Sequence, residues 1–552
     1  MTRTPAALLI LIALWAALYL PGLGEPELRG EEGRRILPAR EMLRRGELVV
    51  PFSEGRPYHR KPPGMNWSIA GVFQLTGLQN GWTARLPSVL GLLGLAVAGW
   101  WAGRAMGGPK VAWALAITLL LNVGMVEKAR LAEIEALYVS LAGIGMLLWM
   151  AAWSATASPT RLWLVTVIPF ALANLTKGPV YLLFFYAFVL ITLHRSRRWR
   201  DLWHPAHFLS LVIALAPMIW WGYLVKQRMM DLPALPATLD EDGNAMLMRS
   251  PEEVWWQQVA GRLTYQNINF RDWLLLPLRV LLMFAPWPIL AGWLSWKYRH
   301  QPRRQDRVSI LRGALGWGAL LSCGAFCLLP STRARYLMSA LAPVCAWSVL
   351  TIFAWCQDRG KARPILLSLI SLTALICPWY AGLESPAVIF GIHLMAVVLA
   401  GLAWTALRNI SAPLRCFVLT VPPMLLAVLL LVTTILPVLR AHENVRPTAE
   451  KLLPFLTTPG TIAALSPGPQ PFLFYLGPRC VEVAKISELP PDTAYLLLSP
   501  KVWEDEESKS RLAARNFTQL LTQVSDQRYE PEQRGREYLL IGKGPEAAPE
   551  PP

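Results

Sequence analysis

The chain has 552 residues, of which 54% are hydrophobic and only 16% charged, well below the roughly 25% charge of soluble domains. Repeated apolar runs of bilayer length exclude a large soluble enzyme and identify a polytopic membrane protein. The net charge of +17 would point to nucleic acid in a soluble protein; here it matches the Arg and Lys excess of cytoplasmic loops, and no nucleic-acid partner is expected.

In chain order, the first apolar run, Leu8 to Tyr19, follows a single Arg3. Leu20-Pro21-Gly22 is a poor cleavage site, so the run reads as a retained span rather than a signal peptide. Residues 24–67 then form a loop too charged for a bilayer. It carries the paired carboxylates Glu31 and Glu32, a basic ladder at Arg34, Arg35, Arg40, Arg44 and Arg45, and a Lys61-Pro62-Pro63 turn. Pro38 argues against one continuous helix there. Further spans read near 84–103, 110–126, 134–153, 162–175, 178–194, 207–225, 274–296, 312–330, 336–355, 364–380, 386–405 and 416–438. From about Leu439 polar residues return. Thr461–Ser466, Pro471–Leu476, Ala494–Leu498 and Glu537–Ile541 read as strands, and Pro447–Leu456 and Glu506–Val524 as amphipathic helices.

The expected fold is a membrane all-α protein of about thirteen transmembrane helices. Amphipathic juxtamembrane helices lie in its first outer loop, and a small C-terminal extracytoplasmic α/β domain follows. The domains expected are 1–438, transmembrane, and 439–552, extracytoplasmic, ending in a disordered tail.

Loop charge orients the bundle. Arg104 and Lys110, Arg161, Arg195 to Arg200, Lys297 to Arg307, Arg359 to Arg363, and Arg408 with Arg415 fall in alternate loops. They share one side if the amino terminus is cytoplasmic, and an odd number of spans then puts the carboxyl tail outside.

Charges left on the outer side occupy five places. These are the first loop, Glu127 to Glu135, Lys177 in a Thr-Lys-Gly-Pro turn, the loop from Lys226 to Asp272 with Glu252, Glu253, Arg262 and Arg271, and Ser331 to Tyr336 with Arg333 and Arg335. Cations at span mouths, against the topological rule, need an anion to offset their cost: lipid headgroups or a phosphate-bearing substrate. Each place also has a plainer reading. Residues 31–46 suit an interfacial helix with Ile36, Leu37, Met42 and Leu43 in lipid. Lys177 suits a turn with a snorkelling side chain. Glu135 or Glu133 suits a carboxylate at a helix N-terminus. Convergence of the five places favours a site.

At these residues the chain resembles the C-type, multi-span glycosyltransferases that use polyprenyl-phosphate sugars. Among them are the protein O-mannosyltransferases and, more closely, the bacterial 4-amino-4-deoxy-L-arabinose lipid A transferases. The resemblance rests on Glu31-Glu32-Gly33-Arg34, Ala39-Arg40-Glu41-Met42-Leu43, Gly46 to Pro51, Pro57-Tyr58, Lys61-Pro62-Pro63 and Ala84-Arg85-Leu86-Pro87-Ser88. It continues through Ala129-Arg130 with Glu135, Leu175 to Pro179, Pro286-Trp287 and Arg333-Ala334-Arg335-Tyr336. It implies a polyprenyl-phosphate sugar donor, a lipid A or other glycolipid acceptor, membrane-lipid contacts, and residence in the bacterial inner membrane with the C-terminal domain periplasmic. It implies Glu31 and Glu135 as catalytic carboxylates, and Lys61, Arg34, Tyr58, Arg130, Lys177 and Arg333 as substrate or phosphate ligands. No cofactor and no metal are expected, although some relatives place a divalent ion between carboxylates and phosphate. The chain departs from the family in having Glu where Asp is common at both acidic positions, and Arg333 and Arg335 where the aminoarabinose transferases tend to show Lys and Pro. A lipid-linked-sugar flippase and a protein O-glycosyltransferase are the alternative functions.

Overall fold

The computed structural model describes residues 4–230, 238–239, 245–246, 270–301, 306–329, 332–355, 410–441, 445–468, 470–526 and 536–544. The expected spans 364–380 and 386–405, together with Glu252, Glu253, Arg262, Ser331 and the 545–552 tail, lie outside the described residues. So do Arg303, Arg304, Arg408 and the stretch from Arg359 to Arg363. Among the described residues six helices are long and apolar enough to cross a membrane, or seven if the pair Phe270–Phe284 and Trp287–Lys297, bent by 99°, is one span. The protein is an integral membrane protein.

The helices that position the outer mouth are α1 (Thr4–Tyr19), α2 (Gly33–Arg45), α3 (Gly64–Thr76), α4 (Gly81–Gly107), α5 (Ile134–Ser154) and α6 (Ala334–Trp355). Local chemistry sets their ends. Gly46 and Gly77 end α2 and α3 at φ 66° and 68°, a conformation that costs glycine least. Asn80 and Thr83 form a reciprocal box at the start of α4: Thr83 N donates to Asn80 Oδ1 at 2.9 Å, and Asn80 N to Thr83 Oγ1 at 3.1 Å.

Two features of the first loop differ from the expectation. Helix α2 runs unbroken through Pro38. Pro38 lies in the second turn, so a single intrahelical bond is lost, and burial of the helix face outweighs it. Ile36, Leu37 and Met42 are at most 1% exposed, so they pack into protein and are not displayed to lipid. The loop also contains a second helix, α3, which continues to Thr76, past the expected boundary at Trp67.

The C-terminal part forms a five-stranded sheet. Its strands are β3 (Thr461–Leu465), β4 (Cys480–Val483), β5 (Thr493–Leu498), β6 (Phe517–Asp526) and β7 (Arg536–Lys543), with β1 (Phe52–Ser53) and β2 (Arg56–Pro57) naming a small hairpin in the first loop. The order is β4-β3-β5-β7-β6. β3 runs parallel to β4 and β5, and β7 antiparallel to β5 and β6. Pro471–Leu476, expected as a strand, contains a one-turn helix, Phe472–Tyr475, whose Phe472, Leu473 and Phe474 are all buried; a half-buried strand would alternate. The expected helix Glu506–Val524 stops at Ala513. Asn516 then turns the chain at φ 63° into β6; Asn tolerates the left-handed region better than most residues. β4 was not expected: its four residues are buried on both faces, so they carry no alternation to read.

This sheet is docked on the first loop. Glu27 Oε1 accepts from the backbone N of Val445 and Arg446 at 2.7 and 2.9 Å. Arg40 donates to the carbonyls of Phe474, Gly477 and Cys480 at 3.5, 2.9 and 3.3 Å. The β1–β2 turn is pressed so close that a Cβ on Gly55 would lie 2.3 Å from Ala484 N. The backbone N of Glu54 donates to Glu482, buried on β4.

Burial pushes the Glu482 carboxyl up to about 8, with the Glu54 hydrogen bond working against it and Glu41 adding to it. A carboxyl whose folded value lies above its unfolded one contributes stability that is complete below the unfolded value and is lost as pH rises through the folded one. The apparent melting temperature of wild type should therefore fall by a few degrees as pH rises from the unfolded carboxylate range to about 8, and level off above it. Glu482→Gln should stay level over the same window, as read by thermal-shift scans in detergent.

Candidate active site

The acidic pair divides its labour. Glu32 is wholly buried. Its Oε1 accepts from Arg85 Nε at 2.8 Å and from Ala132 N at 2.9 Å; its Oε2 accepts from Arg85 Nη2 and Arg29 N, both at 2.9 Å. Arg85, on α4, spends its remaining donors on the carbonyls of Leu23, Pro26 and Glu27 at 2.8, 3.1 and 3.0 Å. This pair pins the first loop to α4 and to the 129–133 turn. Burial works to raise the Glu32 carboxyl, but the Arg85 charge and hydrogen bonds, with the N–H groups of Ala132 and Arg29, outweigh it and hold it below the usual carboxylate range.

Its stabilisation is therefore present above the unfolded carboxylate value and is lost as pH falls through the folded one. Removing one partner leaves an uncompensated buried charge, so Arg85→Ala should cost about 3–5 kcal/mol. A detergent-solubilised variant that unfolds at wild-type temperature would contradict this.

With Glu32 pinned, Glu31 points to the other side. It accepts from Arg34 Nη1 at 3.4 Å and Arg35 Nη2 at 3.5 Å, the i+3 and i+4 positions at the start of α2. Arg35 Nη1 also donates to Tyr58 Oη at 3.3 Å, which ties the hairpin segment into the group. Asn66 Nδ2 of α3 donates to the Arg35 carbonyl at 2.9 Å and fixes that turn.

Glu135 enters from the first turn of α5, where it is 6% exposed. It does not act as a local helix cap. Its Oε1 accepts from Lys177 Nζ at 3.2 Å. Lys177 ends the helix Val167–Thr176, and Gly178 after it sits at φ 100°, a turn that a side chain would strain. The Lys177 ammonium also lies over the rings of Tyr138 and Tyr336, at 5.4 and 5.2 Å.

Arg335, in the first turn of α6, joins the two halves. Its Nη2 is 3.9 Å from Glu31 Oε1 and its Nε 3.9 Å from Glu135 Oε1. The resulting chain of charge runs Arg35, Glu31, Arg335, Glu135, Lys177 across four separate stretches of sequence.

The remaining expected ligands are placed as follows. Lys61 is half-buried and has a partner. Gly64, three residues on, packs so tightly that a Cβ there would lie 2.7 Å from Leu175 O, which sets the Lys61-Pro62-Pro63 turn against the Lys177 turn. Arg130 is not part of the cluster. It donates to the carbonyls of Leu18, Tyr19 and Pro21 at 3.2, 3.3 and 2.5 Å and so caps the end of α1. Arg333 is exposed, while Arg335, two residues on, makes the contacts. Arg35 and Arg335 are thus the cluster members that sequence reading underweighted; the i+4 spacing of Arg35 from Glu31 was the available signal for the first. Lys128 and Glu133 pair separately at 3.1 Å. Among the described residues no three His, Cys, Asp or Glu side chains converge as a metal site.

This arrangement can do one kind of chemistry well. Cations held in a partly dry mouth stabilise charge that develops on a phosphate leaving group, and carboxylates beside them orient a sugar or accept a proton.

Comparison with known proteins agrees. Residues 60–221 match the family described as dolichyl-phosphate-mannose-protein mannosyltransferase. The undecaprenyl phosphate-alpha-4-amino-4-deoxy-L-arabinose arabinosyl transferase of Edwardsiella ictaluri (strain 93-146) is 24% identical over 414 residues, covering 71% of this chain and 68% of that one. The fold matches the crystal structure of ArnT from Cupriavidus metallidurans bound to undecaprenyl phosphate, with TM-score 0.67 and 19% identity over 99% of this chain and 100% of that one. The apo form of the same protein gives TM-score 0.64 and 17% identity, with the same coverage. In family signature, sequence and fold the chain resembles the C-type glycosyltransferases, and it is a glycosyltransferase.

Proposed function

We propose that the chain transfers a sugar from a polyprenyl-phosphate donor to lipid A or a related envelope acceptor on the outer face of the bacterial inner membrane. The observation that carries this reading is the charge chain Arg35, Glu31, Arg335, Glu135, Lys177, assembled from separate span mouths. Positive loop charge supports a cytoplasmic amino terminus, about thirteen crossings, and a periplasmic domain from 439 to 552 after a transmembrane domain of 1–438.

In the reaction, the bond between the sugar's anomeric carbon and the phosphate oxygen breaks, and its electron pair stays on that oxygen. Arg34, Arg35, Lys177 and Arg335, with Lys61 at the edge, stabilise the polyprenyl phosphate as its charge grows. An acceptor oxygen forms the new bond at the anomeric carbon. A hydroxyl acceptor gives its proton to Glu31. An anionic phosphate acceptor has no proton to give, and Glu31 and Glu135 then act by holding the cations in place. The family match over residues 60–221 keeps a protein hydroxyl in view as acceptor. The donor in the name of the Edwardsiella ictaluri relative carries 4-amino-4-deoxy-L-arabinose, which is the reference against which this chain's own preference is read.

Mass spectrometry of envelope lipids from cells with and without the gene tests the proposal. A glycosylated lipid that disappears with the gene supports it; identical lipid profiles with an altered glycoprotein would move the acceptor to protein.

A further inference from the structure

Neither central carboxylate is unspent. Glu31 faces Arg34 and Arg35, and Glu135 faces Lys177. Arg335 stands between them at 3.9 Å from each. Around two carboxylates the described residues therefore place four cations. Among the described residues the two neighbouring acids are committed elsewhere, Glu32 to Arg85 and Glu133 to Lys128. Among the described residues the aromatic faces beside the cluster, the other means of holding an ammonium group, are also taken: Arg35 lies over Tyr58, and Lys177 over both Tyr138 and Tyr336.

Arg335 itself is only partly satisfied. Its contacts to the carboxylates are too long for hydrogen bonds, and its buried Nε has no hydrogen-bond partner. The guanidinium keeps its charge at any physiological pH and suits a two-pronged bond to phosphate oxygens. A sugar ammonium would have to displace this cation from between the two carboxylates and then sit among three others. A hydroxyl in the same position meets no such repulsion.

We infer that the donor's sugar is uncharged, so that phosphate is the charged group of the donor head, and that Arg335 sets this preference by filling the slot between Glu31 and Glu135 that an ammonium-bearing sugar needs. The inference rests on the transferase reading above and narrows its substrate.

The test uses the full chain in lipid nanodiscs and two synthetic polyprenyl-phosphate pentoses that differ only at C4, one with a hydroxyl (L-arabinose) and one with an ammonium (4-amino-4-deoxy-L-arabinose). Donor preference is read twice, as the ratio of kcat/KM and as the ratio of competition against a fluorescent polyprenyl phosphate. Wild type should favour the hydroxyl donor by about tenfold or more in both, the scale of one like-charge contact at a partly buried site. Arg335→Gln should narrow or reverse the ratio, and Arg335→Lys, which keeps the charge, should preserve it. Preference of wild type for the amino donor, or an unchanged ratio in Arg335→Gln, overturns the inference while leaving the transferase reading intact. If both donors bind and neither is turned over, the transferase reading falls, and the competition ratio still decides whether Arg335 excludes the ammonium. If neither donor competes, both fall.

Discussion

Replacing Glu31 by Gln should lower sugar transfer to a hydroxyl acceptor by about 100-fold or more, the usual contribution of a positioned general base. The substitution preserves shape and one accepting oxygen, while the amide NH2 that replaces the other oxygen can no longer accept from its arginine. The cations that would hold the donor phosphate are all retained, so the loss should fall mainly on kcat. Glu32→Gln is the informative neighbour. Glu32 is wholly buried against Arg85 and the N–H groups of Ala132 and Arg29, so its loss should appear first as a lower melting temperature. If the two variants behave alike, the division of labour within the pair is wrong. Retention of near-normal turnover in Glu31→Gln with a phosphate acceptor, but not with a hydroxyl acceptor, would assign the carboxylate to proton transfer and identify the acceptor class in one experiment.

Lys177→Met should be almost as damaging, for a different reason. The ammonium lies 3.2 Å from Glu135 Oε1, and both side chains are at most 10% exposed. Methionine fills the volume but leaves buried Glu135 without its hydrogen-bonded counter-charge, with only Arg335 facing it at 3.9 Å, which costs up to about 3–5 kcal/mol of stability. It also removes a cation from the leaving phosphate, for which a loss of about 100-fold in kcat/KM is the expected scale. The double variant Lys177→Met with Glu135→Gln separates these effects. Thermal-shift scans should show much of the lost stability regained, because no buried charge is left unpaired, while activity stays low. Recovery of activity along with stability would make Lys177 a structural residue only.

Much of this site was legible in the sequence because membranes make charge expensive. Glu31, Arg34, Glu135 and Lys177 stood out because charge at outer span mouths needs a compensating partner. The structure supplies partners, but mostly from within the protein. Arg130 looked like a phosphate ligand and instead caps α1, since a helix end with unpaired carbonyls competes for the same donor as a substrate would. Arg335 was hard to separate from Arg333: both stand at the start of one helix, and only the rotation of that helix decides which faces the cluster. Pro38 misled because helix propensity counts the missing N–H and ignores the buried face that repays it. In the C-terminal sheet, β4 escaped notice because a strand buried on both sides has no polar–apolar alternation. The docking of that sheet through Glu27, Arg40 and Glu482 joins residues more than 400 positions apart, a pairing that no local pattern encodes.

The most direct test of the central claim is transfer by the purified chain. Wild type and Glu31→Gln are reconstituted in nanodiscs with a polyprenyl-phosphate donor labelled in its sugar and an envelope glycolipid whose acceptor group is a hydroxyl. Label in the acceptor is then followed alongside release of polyprenyl phosphate. The site described here predicts that both products appear together with wild type, in equal amounts, and that both fall in the variant. Donor that crosses the bilayer intact, with no labelled acceptor and no free polyprenyl phosphate, would contradict it and make the protein a carrier of lipid-linked sugar instead.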